Sequence, residues 1–174
     1  VVENARKKIA SLLNTSPGSI FFTSGGTEAD NMAIKCGIHD HKITHSITSK
    51  LSHHAVLYPL EDLEKEGIIK LSYVNIDENG VVDLNHLEEL LQNNPRTFVS
   101  IMHANNEIGT IQDIKAIGDI CKAHKAIFHS DTVQTMAHFS FDMQEINIDF
   151  MAASAHKFHG PKGVGFAFIR KNNG

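Results

Sequence analysis

Lys157 lies in Ser154-Ala155-His156-Lys157-Phe158-His159-Gly160-Pro161-Lys162-Gly163, directly after the apolar run Phe150-Met151-Ala152-Ala153. The run reads as a buried strand, and the lysine stands where it opens into a Gly/Pro-rich loop. Lysine is seldom buried without a partner, and desolvation favours the neutral amine of such a side chain. A neutral amine attacks carbonyl carbon, so this position is a candidate for Schiff-base chemistry. A surface lysine ahead of a turn would carry the same local sequence. Three other polar stretches offer different chemistry. In Ser24-Gly25-Gly26-Thr27-Glu28 two glycines let the backbone approach a ligand closely. The N–H groups of a following helix, with its dipole, then suit a phosphate, and the Thr27 hydroxyl adds a donor. The stretch is neither G-x-x-x-x-G-K nor G-x-G-x-x-G, which weakens a nucleotide reading; a turn capped by Thr27 accounts for it as well. His103-Ala104-Asn105-Asn106-Glu107-Ile108-Gly109 groups amides with a carboxylate, and His129-Ser130-Asp131-Thr132-Val133-Gln134 sets an acid at the end of an apolar run.

These stretches need elements to position them. Helical spacing predicts helices over Val2–Leu13, Glu28–Ile38, Ala55–Glu66, Leu84–Gln92 and Ile114–Ala123, the last two capped by Asp83 and Asp113. Short apolar runs predict strands at Ile20–Thr23, Thr44–Thr48, Leu71–Val74, Phe98–Met102, Ala126–His129, Phe150–Ala153 and Gly165–Ile169. Asn14-Thr15-Ser16-Pro17-Gly18 and Asp77-Glu78-Asn79-Gly80 are turns. Strands alternating with helices imply an α/β fold, a three-layer sandwich with a mostly parallel, doubly wound sheet. In such a sheet ligands bind at the carboxyl ends of the strands, where all four polar stretches fall.

Composition narrows the partners. The chain has 174 residues and a formal charge of -4, which gives no basic footprint for nucleic acid. No apolar run approaches the ~18 residues of a membrane span. Two cysteines, Cys36 and Cys121, form no C-x-x-C pair and suit a reducing cytoplasm. His39, His41 and His45, with His53 and His54 nearby, lack a carboxylate or thiolate partner on a regular element, so they read as a solvated polar loop rather than a metal site. The chain starts at Val1 rather than Met and stops just after a strand, as a piece of a longer protein would.

A phosphate cradle, an acid for a pyridinium nitrogen, amides for a ring oxygen and a lysine for an aldehyde together match pyridoxal 5'-phosphate (PLP). Phe22-Thr23-Ser24-Gly25-Gly26-Thr27-Glu28-Ala29-Asp30-Asn31 and the stretches His103–Gly109, His129–Gln134 and Ser154–Gly163 resemble the cysteine desulfurase family. These are class V aminotransferase-like, fold-type-I PLP enzymes. The likeness runs from Ala5 to Arg170 with the motifs in family order.

The resemblance implies roles by position. Lys157 matches the lysine that bonds the cofactor and shuttles protons. Ser154 and His156 match its flanking residues, with Ser154 a phosphate ligand beside Gly26 and Thr27. Asp131 matches the acid on the pyridine nitrogen; Gln134 and Asn106 resemble groups that hold the ring's oxygen and substituents. His53 matches the histidine stacked on the ring, with His54 one residue away as the other choice. The implied reaction takes sulfur from L-cysteine as an enzyme persulfide, leaves alanine, and passes the sulfur to an acceptor protein for iron–sulfur cluster assembly or other transfer. A homodimer is implied too. Selenocysteine lyase or another class V lyase or aminotransferase shares the motifs. A non-catalytic scaffold or dimerisation module is the other alternative, against which intact Lys157 and Asp131 argue.

On this reading residues 1–174 are the PLP-binding large domain. The N-terminal segment, the C-terminal small domain, the substrate-carboxylate arginine and the persulfide cysteine are then absent, and the piece alone is inactive. Cys36 and Cys121 are ordinary helix thiols. Two departures stand out: Ala155 replaces the family's usual glycine, and Asp30, near a helix start and favourable to its dipole, is given no further role.

Overall fold

Alternating apolar and amphipathic stretches build a computed structural model that describes residues 1–94 and 96–171. In chain order the elements are α1 (Val2–Leu12), β1 (Ile20–Thr23), α2 (Gly26–Asp40), β2 (His45–Thr48), α3 (His54–Lys65), β3 (Lys70–Tyr73) and α4 (Leu84–Gln92). Then come β4 (Thr97–Ser100), α5 (Ile114–Ala123), β5 (Ile127–Asp131), β6 (Phe150–Ser154) and β7 (Gly165–Ile169), with short 3-10 helices at Pro17–Ser19 and Ala155–Phe158. The strands form one sheet in the order β1-β7-β6-β5-β4-β2-β3. Strands β2 to β6 pair in parallel. Only β7 runs against its neighbours, pairing antiparallel with β1 and β6.

The sheet is the middle of three layers. Successive strand residues point to opposite faces, and the core divides accordingly. Val99 and Met151 join the cluster that holds Leu13, Leu87, Leu91, Ile117 and Cys121, under α1, α4 and α5. Their neighbours Phe98 and Phe150 pack instead with Ile34, Val56 and Leu60 of α2 and α3. Because both faces are covered, β2, β4 and β6 are buried at every position.

Helix starts follow from caps. Asp83 accepts the N–H groups of Asn85 and His86, and Asp113 that of Ala116, as the sequence predicts. The start of α3 is capped by His53, whose Nδ1 accepts the Ala55 N–H at 3.1 Å. In contrast, α2 begins after Gly25 with no side-chain cap. Thr27 therefore does not cap it, and the first turn keeps donors free.

Two sequence expectations change here. His45 belongs to no solvated loop: it opens β2, is buried, and bridges strands through Nε2 to Ser72 Oγ (2.8 Å) and Nδ1 to Thr97 Oγ1 (3.2 Å). Its neighbours His39 and His41 are exposed. The lysine loop, expected to be irregular, begins with a 3-10 helix that carries Ala155 to Phe158. Ala155 lies in that right-handed turn and is absent from the residues of positive φ, so the extra methyl in place of glycine strains no backbone.

Candidate active site

Four strand ends converge on one cavity of about 280 Å³. β1 delivers the chain to Gly25, and α2 opens with Gly26 and Thr27 on the cavity wall. The close approach is built in: a methyl at Gly26 would collide with the Val133 side chain. The acid arrives on β5, whose final residue is Asp131. The connection after it turns at once, because Val133 N–H donates to Asp131 Oδ1 at 2.9 Å, and this turn puts Gln134 on the same wall. After β6, Ser154, His156 and Lys157 line the cavity from the 3-10 helix side. Ser154 Oγ and His156 Nδ1 are hydrogen-bonded at 2.9 Å. His53, held by its capping bond, and Asn106, from the loop beyond β4, complete the wall.

Every residue singled out from sequence thus reaches the same space. His54 does not: it turns into a separate groove of about 670 Å³ between α2 and α3 and stacks on Tyr58 at 4.8 Å. Of the two readings open for Lys157, a desolvated amine or a surface lysine, the structure shows an exposed side chain. The 3-10 helix lifts it past the end of β6, and it is exposed at the rim. Its backbone carbonyl accepts a hydrogen bond from His138 Nε2 at 3.0 Å, which ties this helix to the β5–β6 connection.

Asp30, Met102 and Val133 also line the cavity, and sequence reasoning missed them. Asp30 had a signal. One helical turn after Gly26, it falls on the α2 stripe of Ala29, Ala33, Ile34 and Gly37 that faces the sheet. It is buried to 1 % exposure, not a surface acid near a helix start.

The floor therefore carries two buried acids. Burial, and then the nearby Asp30, push the Asp131 carboxyl up to about 7, against the pull of the Val133 N–H, His129 and His53. Burial alone holds Asp30 well above the usual carboxylate range. Burial also pushes the His129 imidazole down to about 4, with Asp131 opposing. An amine, a buried acid, an uncapped helix start and a histidine around one space suit carbonyl and proton-transfer chemistry on a ligand that carries an anionic group.

The model of the aminotransferase class-V family matches residues 1–174. The chain is 47% identical over 172 residues to cysteine desulfurase IscS of Vibrio atlanticus, covering 98% of this chain and 42% of that protein. It is 46% identical over 172 residues to IscS of Clostridium botulinum, covering 97% and 43%. Among solved structures, a NifS-like protein superposes with a TM-score of 0.91 at 41% identity over 98% of this chain and 47% of that one. SspA in complex with cysteine gives 0.91 at 35% identity over 98% and 49%. The chain spans less than half the length of the curated relatives it matches. Matched by that family model from end to end, the chain belongs to the class V aminotransferase family.

Proposed function

We propose that residues 1–174 are the PLP-binding large domain of a cysteine desulfurase that acts on L-cysteine. The observation that carries the reading is the meeting of Lys157, Asp131 and the uncapped start of α2 in one cavity. The donor set fits the cofactor. Asp131 presents a buried carboxylate with one oxygen bonded to Val133 N–H and the other accepting nothing among the described residues, which a ring N–H would satisfy. Gly26 and Thr27, with Ser154, offer a phosphate backbone and hydroxyl donors free of a side-chain cap.

When bound, PLP supplies an aldehyde that condenses with amines and a ring that accepts the electron pair left at an amino acid's α-carbon. Lys157 provides the amine for that aldehyde and, once displaced by substrate, a base for the α-proton. Asp131 holds the proton on the ring nitrogen. His53, its Nδ1 fixed by the Ala55 N–H, keeps Nε2 free to meet the ring and move a proton. Gln134 and Asn106 orient the ring's oxygen and substituents, and His156 is steadied by Ser154.

In the overall reaction the Cβ–S bond of L-cysteine breaks, sulfur joins a cysteine thiolate as a persulfide, and alanine remains. Neither thiol here suits that step: Cys36 and Cys121 do not line the cavity, and burial pushes the Cys121 thiol far up. The persulfide cysteine therefore belongs to sequence outside these residues. A homodimer, a sulfur-acceptor protein for iron–sulfur cluster assembly and a cytoplasmic setting accompany the reading. No described helix is long and apolar enough to cross a membrane.

The test is PLP addition followed by borohydride reduction and peptide mapping. The reading expects a cofactor-sized mass increment on Lys157 that disappears in Lys157→Ala. A stable increment on a different lysine of the full-length protein would refute it.

A further inference from the structure

Beneath Asp131 lies a second buried acid that the proposed chemistry does not use. Asp30 Oδ1 stands 3.2 Å from His129 Nε2, and their side chains are 2% and 0% exposed. Neither atom has a hydrogen-bond partner among the described residues. The other ring nitrogen is engaged: His129 Nδ1 lies 2.8 Å from Ser100 Oγ. The ring itself lies nearly parallel to Phe98, centroids 6.1 Å apart and planes 17° apart.

We propose that Asp30 is a positioning residue held as a neutral carboxylic acid, its O–H turned toward His129 Nε2, so that the cavity floor carries its negative charge on Asp131 alone. Two carboxylates in one water-poor site do not both ionise. Asp131 is the better anion, since it receives the Val133 N–H and faces the cavity. Asp30 Oδ1 accepts no hydrogen bond among the described residues, and a proton on it would face His129 Nε2 3.2 Å away. Of the other titratable groups around the space, His53, His156 and Lys157 lie on the cavity wall. Only His53 and His129 pull on Asp131, and no cation offsets the burial of Asp30. The floor then presents one negative charge to one cationic ring N–H. That purpose rests on the PLP reading, whereas the protonation state is a property of the chain.

Infrared spectroscopy of the full-length protein tests it. Recorded at about pH 9, where Asp131 is ionised, the C=O stretch of a protonated carboxylic acid is expected in the wild type, retained in Asp131→Asn and lost in Asp30→Asn. A band lost in Asp131→Asn but kept in Asp30→Asn, or missing from the wild type, overturns the proposal. If Asp30→Asn does not fold, the ¹⁵N shifts of wild-type His129 decide. An unprotonated Nε2 supports the neutral acid; a doubly protonated ring makes the contact an ion pair and overturns it. Failure of PLP to bind would leave all these spectra unchanged, so it would count against the cofactor reading alone.

Discussion

Replacing Asp131 with asparagine should make the protein more stable while removing the group that holds the ring nitrogen. Burial above all pushes this carboxyl from its ordinary value of 3.8 to about 7. The unfolded chain therefore gives up the proton first as pH rises, and the native state still holds it between those values. Stability is fully present below the unfolded value, falls through this window, and stays low above the folded one. A shift of about three units corresponds to about 4 kcal/mol. Asparagine cannot ionise, and its carbonyl can keep the Val133 N–H now 2.9 Å from Oδ1. At about pH 8, without cofactor, Asp131→Asn is expected to gain up to about 4 kcal/mol, or about 10 °C in Tm for a chain of this size. Near pH 4 the two proteins should melt together. Differential scanning calorimetry across that range is the assay, repeated with PLP, which should narrow the gap by stabilising the wild type. A variant that melts at or below the wild type at about pH 8 would show that the acid is not held against its own ionisation, and would refute the reasoning.

Two further outcomes are expected. Gly165→Ala should lose about 1–3 kcal/mol in urea unfolding, because the added methyl meets Gly25 Cα at 2.7 Å and the Ala153 carbonyl, both backbone atoms that cannot swing aside; an unchanged midpoint would count against this close approach. A thiol reagent should modify Cys36 alone in the folded chain and both cysteines in denaturant, since Cys36 is exposed and Cys121 is on the buried face of α5; rapid native labelling of Cys121 would contradict the core packing.

Residue pattern carried much of this structure because local physics repeats it. Asp83 and Asp113 marked helix starts through the backbone donors they satisfy, and the apolar run ahead of Asp131 marked a strand whose last residue it is. What pattern missed depends on packing between distant segments. The reversal of β7 was within reach by counting: only 10 residues separate Ser154 from Gly165, fewer than the dozen or so a parallel crossover needs. Helix polarity, a local rule, places Asp30 near the dipole but says nothing of its burial, which comes from the α2 stripe lying against β5 and β6. Local sequence leaves Lys157 open between a desolvated amine and a surface lysine; the outward turn of the 3-10 helix, set by the return of the chain to β7, exposes it.

That return also sets a schedule. β1 enters the sheet only through β7, with Ile20 beside Phe168 and Thr23 beside Gly165, so the earliest strand waits for the latest. During synthesis the parallel strands β2 to β6 can assemble with their helices while β1 still lacks a neighbour. Closing so long a loop comes late and slowly. The Gly25–Gly26 bend, packed against Gly165, is thus completed at the end of folding. A chain interrupted before that point would carry Asp131 in place yet lack the bend that receives an anion, which makes anion binding a natural gauge of whether folding has finished.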